Sequence, residues 1–180
     1  LERERGTEWF HVDGPASHRH FSDFAQRKLP GSEEKLTYAL RKEQQEAVSM
    51  TKAYFENGGA EFLWNAKPRF GKTLTSYDLI QQMGFTKVLI VTNRPSIANS
   101  WAEDFFKFIG WRGEHSFVSD TDALKDKPGV LSREEHLSAV IHREEATPRN
   151  MIAFESLQGL KGSVYFGGNF DKLRWMSELE

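Results

Sequence analysis

Ala66-Lys67-Pro68-Arg69-Phe70-Gly71-Lys72-Thr73 sets a small residue, then four others, ahead of Gly-Lys-Thr. That is the spacing of a Walker A phosphate loop with alanine in its first place. The residue types suit the task. The backbone N–H groups of such a loop curl inward onto phosphate oxygens, and Gly71 lets the backbone come close. Lys72 reaches the β- and γ-phosphates, and the Thr73 hydroxyl is a ligand for Mg²⁺. The expected nucleotide site is therefore Ala66, Lys67, Pro68, Arg69, Phe70, Gly71, Lys72 and Thr73, with the side chains of Lys67 and Arg69 solvated. No acidic residue stands between Glu61 and Asp78, while Lys67, Arg69 and Lys72 cluster there. A cationic funnel around the loop follows.

A phosphate loop must be delivered by a strand and received by a helix whose positive N-terminal end faces the phosphates. Ala60–Trp64 reads as the strand. Thr73–Met83, stopped by Gly84, reads as the helix. This context separates the motif from a chance match in an ordinary βα turn. Upstream, Gln44–Glu56 has helical spacing and ends at Asn57-Gly58-Gly59. Downstream, Lys87–Val91 is a β-branched run of the kind buried on both faces of a sheet. Pro95 opens a helix reaching Phe108. Strands at His115–Ser119 and Met151–Phe154 and helices at Ser132–Glu145 and Asp171–Leu179 complete the pattern. Alternation of strands and helices predicts an α/β protein with an open, mainly parallel sheet and helices on both faces. Residues 1–39 are polar and broken by Gly6, Gly14, Pro15, Pro30 and Gly31, and read as an appendage or the tail of a preceding domain. Residues 40–180 read as the α/β domain.

Composition narrows the classes. The 180 residues are 38% hydrophobic and 28% charged with a net charge of −2, which suits a soluble globular domain and excludes a polybasic tail. No apolar run approaches a membrane span, and no signal peptide is visible. The expected location is the cytoplasm. The absence of cysteine excludes disulfides, thiolate metal sites and a cysteine nucleophile. The chain begins at Leu1 rather than at a methionine, which reads as a piece of something larger.

Two flanking segments select among phosphate-loop proteins. Leu40-Arg41-Lys42-Glu43-Gln44 resembles the Leu-Arg-x-x-Gln segment of superfamily 2 helicases and restriction-enzyme motor subunits. Val88-Leu89-Ile90-Val91-Thr92-Asn93-Arg94-Pro95 resembles motif Ia of that family. Ile152-Ala153-Phe154-Glu155-Ser156-Leu157-Gln158 is similar to the strand and Ser/Thr-x-Gln stretch before motif II. The resemblance covers roughly residues 38–160. It implies the first RecA-like domain of an ATP-dependent motor, a helicase or translocase, with ATP and Mg²⁺ as cofactors. It also implies a second RecA-like domain in the parent chain and nucleic acid as partner, DNA in preference to RNA, with restriction-system subunits as further partners. Carried over by position, it implies that Gln44 reads the adenine edge. Thr92, Asn93 and Arg94 would contact the nucleic-acid backbone, as would Ser156 and Gln158. Capping of the following helix is an equal use for Ser156.

The chain also departs from the family. No apolar strand ends in Asp-Glu-x-His. Arg133-Glu134-Glu135-His136 lacks the aspartate and belongs to a charged helix. The resemblance therefore implies a chain that stops just short of motif II, whose full-length parent hydrolyses ATP while the isolated chain does not. Competing readings are another phosphate-loop enzyme, such as a small-molecule kinase, or a non-catalytic nucleotide-binding module.

His11, Asp13, His18 and His20 fall within ten residues. Without a spacing that fixes geometry they read as surface residues rather than a metal site. Gly6-Thr7-Glu8-Trp9-Phe10 faintly resembles the closing segment of GIY-YIG nuclease domains.

Overall fold

β6 (Asn150–Ser156) runs through the middle of the sheet, and its composition explains why. Met151, Ile152, Ala153 and Phe154 are all buried, as befits a strand covered on both faces. β3 (Lys87–Thr92) pairs with it in parallel from Lys87↔Met151 to Thr92↔Ser156. On its other side lies β4 (His115–Val118), also parallel, and β5 (Val130–Leu131) pairs in parallel with β4. The order is β3-β6-β4-β5. The expected open parallel α/β sheet is what forms, and all four strands deliver their C-terminal ends to one edge.

The computed structural model describes residues 2–3, 10–11, 37–142 and 147–177. The chain divides into two compact units, residues 1–34 and 35–180. In the first, β1 (Glu2–Arg3) pairs antiparallel with β2 (Phe10–His11). Asp13, His18, His20 and most of the segment Gly6–Phe10 lie outside the described residues.

In the second unit, strand alternation sends successive residues to opposite faces. Ile152 and Phe154 join Phe117, Leu124, Tyr77 and Ile80 in one core, completed by Ala98, Ala102, Phe105 and Ile109. Those last four recur at helical spacing along and just past α3 (Ala98–Phe108), so one stripe of that helix faces the sheet. Tyr77 belongs to α2 (Lys72–Met83). It stacks edge-on against Trp101 at 5.5 Å and donates its hydroxyl to the Trp101 carbonyl at 2.8 Å, so the buried phenol has a partner. Met151 and Ala153 point to the other face, where Val118, Trp175, Leu89 and Leu137 form a second core. α4 (Arg133–Ile141) and α5 (Arg174–Ser177) cover that face. α1 (Lys42–Glu56) packs on α2. Among the described residues no helix is long and apolar enough to cross a membrane.

Several expectations need correction. Ala60–Trp64 is not a strand and joins no ladder, because β3 is the outer strand of the sheet. Its apolar side chains serve α1 instead. Trp64 Nε1 donates to Thr51 Oγ1 at 2.7 Å, and Phe62 packs edge-on against Tyr54 at 5.5 Å. Leu63, between them, is 89% exposed. The helix expected from Pro95 is a 3-10 turn, Pro95–Ile97, followed by α3. Ser132 caps α4 rather than starting it, accepting from Glu135 N. The last helix is a single turn. β5 was not foreseen.

Candidate nucleotide site and strand-end edge

The loop before α2 is shaped by two residues in the left-handed region, Arg69 at φ 64° and Gly71 at φ 84°. Phe70 N donates to the Lys67 carbonyl at 3.2 Å and closes a turn. Thr75 N and Thr75 Oγ1 both donate to the Gly71 carbonyl, at 3.0 and 2.9 Å, and start the helix. Nothing competes for the opening of α2. Its N-cap is Gly71, without a side-chain cap, and its first turn holds no acidic residue. The first N–H groups and the positive end of the helix dipole are thus available to an anion. Lys72 is exposed, and its Nζ rests 3.4 Å from the Lys67 carbonyl, a long contact that a phosphate oxygen could displace. Thr73 is half-buried beside it.

The first turn of α1 holds this loop from behind. Gln44 is buried. Its Oε1 accepts from Arg41 N at 2.8 Å and its Nε2 donates to the Phe70 carbonyl at 2.7 Å. Arg41 Nη2 donates to the same carbonyl at 2.6 Å and to that of Arg69 at 3.1 Å. A Cβ at position 71 would stand 2.6 Å from Gln44 Nε2, so glycine is required there for space as well as for φ. The Gln44 amide retains one N–H and one lone pair for a ligand. Arg41 is a loop-holding residue that sequence reasoning missed. It lies within the Leu-Arg-x-x-Gln segment, but its role depends on the path of the loop.

Ala66, Lys67, Pro68, Arg69 and Phe70 line one wall of a cleft of about 660 Å³. Arg41, Glu43, Ala47 and Met50 of the α1 region line the other, with Phe62 and Trp64 at its end. A mainly apolar cleft with a few polar groups beside a phosphate loop suits a flat aromatic base.

Thr92, Asn93, Arg94, Ser156 and Gln158 form a separate group at the C-terminal ends of β3 and β6. Thr92 and Ser156 are level in the ladder. Leu157 N donates to the Thr92 carbonyl at 2.8 Å, and Gln158 Nε2 reaches the Asn93 carbonyl at 3.3 Å. Thr92 Oγ1 accepts from Arg94 N at 3.0 Å. Ser156 Oγ accepts from Gly159 N at 3.0 Å, so it caps the turn after β6, which is not a helix. Arg94 and Asn93 are exposed. The C-terminal edge of an open parallel sheet is where such proteins bind ligands.

Also unforeseen is an ion network behind that edge. Arg133 Nη2 lies 3.2 Å from Glu155 Oε1, Arg133 Nε lies 3.4 Å from Asp120 Oδ2, and the guanidinium covers the Trp175 ring at 5.1 Å. Burial pushes the Glu155 carboxyl above its ordinary range, with Arg133 opposing. Glu135 is occupied by the cap. The Ser132 N–H and then its hydroxyl hold that carboxyl below the usual range. Glu134 is exposed and His136 is buried in α4. Among the described residues no cluster of three or more His, Asp and Glu is placed to hold a metal.

Comparison with known proteins adds two findings. The model of the family "Type III restriction enzyme, res subunit" matches residues 37–164. A Mycoplasma pneumoniae protein named "Putative type II restriction enzyme and methyltransferase RM.MpnORF110P C-terminus" is 31% identical over 150 residues. That match takes in 79% of this chain but 18% of the relative, so the chain spans about a fifth of that protein's length. No solved structure matches the chain.

Proposed function

Because the chain belongs to the type III restriction enzyme res-subunit family, whose helicase-like domain has a RecA-like fold, we propose that residues 35–180 are the ATP-binding part of a nucleic-acid-dependent motor. The observation that carries this reading is the uncapped N-terminus of α2 behind Gly71, with Lys72 folded over the loop. Backbone N–H groups of the loop bind the phosphates, and Lys72 neutralises the β- and γ-oxygens. Thr73 would hold Mg²⁺ through its hydroxyl, and the ion would neutralise phosphate charge. The cleft between α1 and residues 62–70 takes the adenine, and Gln44, bonded to the Phe70 carbonyl in its wall, keeps one N–H and one lone pair for the adenine edge. Bound ATP supplies the energy of a phosphoanhydride bond; the residues here bind and orient it. The ends of β3 and β6 face the phosphates of the nucleic acid, through exposed Asn93, Arg94 and Gln158 with Thr92 and the buried Ser156 behind them, and DNA is favoured by the restriction enzymes in the comparison. Hydrolysis belongs to the larger cytoplasmic protein, together with a second RecA-like domain and restriction-system subunits.

The test is a thermal shift with MgADP on the 180-residue chain. Ligand at about 100 times its dissociation constant stabilises a fold by about 2.7 kcal/mol, a readily visible shift. The shift should vanish in Lys72→Ala, whose own melting temperature should stay at the wild-type value because Lys72 is exposed. An equal shift in both proteins would remove the loop from the nucleotide site.

A further inference from the structure

The turn that follows β6 holds aromatic rings out of the core. Phe166 N and Gly168 N both donate to the Ser163 carbonyl at 2.9 Å. Val164 N donates to the Phe170 carbonyl at 2.8 Å, and Phe170 N to that of Gly162 at 3.1 Å. A side chain at position 168 would overlap the Gly162 carbonyl, so the two arms approach as closely as glycine allows. Lys172 Nζ fastens the base of the turn to the carbonyls of Gly159 and Lys161, at 2.8 and 2.6 Å. On this backbone-bonded frame Tyr165 is 61% exposed, Phe166 58% and Phe170 68%. Single exposed apolar residues are ordinary, but three rings within six residues of one turn form a patch that calls for an occupant.

Charge and position indicate which occupant. The turn springs directly from Ser156, level with Thr92, and Gln158 ties it to the Asn93 carbonyl. Between Leu157 and Ser177 the chain carries Lys161, Lys172 and Arg174 against one carboxylate, Asp171. Arg94 stands exposed at the neighbouring strand end. Aromatic rings interleaved with cations match a strand whose bases are unpaired, since every base offers a π-face and every linkage a phosphate. A duplex hides those faces in its stack. An ordered turn also spares the cost of immobilising the rings on binding.

We propose that Tyr165, Phe166 and Phe170 form a stacking platform for the bases of a single nucleic-acid strand whose phosphates run past Arg94 and Lys161. The proposal rests on the reading of the β3 and β6 ends as the nucleic-acid edge. It adds to that edge a base-contacting site of its own, tolerant of sequence because stacking does not read hydrogen-bond patterns.

Fluorescence anisotropy on the 180-residue chain tests it with two labelled probes, a twenty-residue oligo-dT and an abasic strand of the same length. The wild type should bind oligo-dT about tenfold or more tightly than the abasic strand, in keeping with base–aromatic stacking energies. The double variant Tyr165→Ala/Phe166→Ala should lose most of that preference, with Phe170 alone left to stack, and keep an unchanged salt slope because no phosphate contact is removed. Tyr165→Phe should retain the preference. Exposure of both rings predicts an unchanged melting temperature, which verifies that the double variant is folded. If the double variant keeps the base preference while Arg94→Ala weakens binding, the platform is overturned and the strand-end edge stands. If it loses affinity for both probes equally, the patch serves another partner and the proposal fails. If the wild type binds neither strand at low salt, the edge and the platform fall together.

Discussion

Gln44 Nε2 donates a 2.7 Å hydrogen bond to the carbonyl of Phe70, the residue before Gly71, and so ties the first turn of α1 to the phosphate loop. Arg41 supplies a second donor to the same oxygen. The carbonyls of Arg69 and Phe70 are turned toward α1, and bonds to them hold the loop in the curl that its left-handed residues allow. The loop before α2 is thereby coupled to a helix 26 residues earlier in the chain.

Gln44→Ala should therefore act twice. It removes a buried amide and strips one donor from the Phe70 carbonyl, which should cost about 1–3 kcal/mol of stability. It should also weaken MgADP binding, because the loop loses an anchor. Urea denaturation reads the first effect and calorimetric titration the second. A stability loss with unchanged affinity would show that Arg41 holds the loop unaided.

Gly71→Ala meets two obstacles. At φ 84° an L-residue pays about 1–2 kcal/mol, and the new methyl group would sit 2.6 Å from Gln44 Nε2. The amide must swing off Phe70 to make room. The expected result is a folded but less stable chain with nucleotide affinity reduced at least tenfold, measured by the same two experiments. Combined with Gln44→Ala, the methyl group meets no amide, so the two losses should be less than additive.

The turn at Gly71 and α2 were legible because they depend on local spacing and on a glycine that the turn requires. β3 and β6 were legible because a continuous apolar run has few uses other than a strand covered on both faces. Ala60–Trp64 has the same composition and was misread. Whether an apolar run becomes a strand depends on a ladder partner, and Trp64 instead spends its indole N–H on Thr51 of α1. β5 has two residues and carries no periodicity at all. Arg41 lay in plain view, yet its targets are carbonyls whose direction follows from the φ of Arg69 and Gly71. Asp120, Arg133 and Glu155 come from a loop, a helix and a strand, so no spacing along the chain announces their network.

His136 gives the protein a pH dependence. The ring is fully buried in α4, and neither nitrogen has a hydrogen-bond partner among the described residues. Burial lowers its pKa below the ordinary 6.5. The folded state thus resists a proton that the unfolded chain accepts, and stability is lost as pH falls below about 6.5. Urea midpoints should drop between pH 7.5 and 5.5 in the wild type. His136→Leu, which cannot titrate, should show a shallower drop. Parallel curves for the two proteins would assign the acid sensitivity to other groups.

The 180-residue chain should bind nucleotide without turning it over. Binding needs little more than what the loop already presents: backbone donors, Lys72 and the Thr73 hydroxyl. Phosphoryl transfer needs further groups, a carboxylate to help hold the metal, a residue to orient the attacking water and a cation for the charge that develops. Two of the candidate carboxylates are engaged elsewhere, and Glu134 stands exposed on α4. Glu155 is paired with Arg133, and Glu135 is spent on the cap of α4. An arginine finger alone is typically worth about 10³–10⁵ in rate, so a site without one should stay near background. The measurement is phosphate release from MgATP, with and without single-stranded DNA, beside a thermal shift with MgADP. A clear shift with no release is the expected pair of results. Release well above background that survives Glu134→Gln/Glu135→Gln but is abolished by Glu155→Gln would place a working carboxylate at the end of β6 and require Arg133 to let it go.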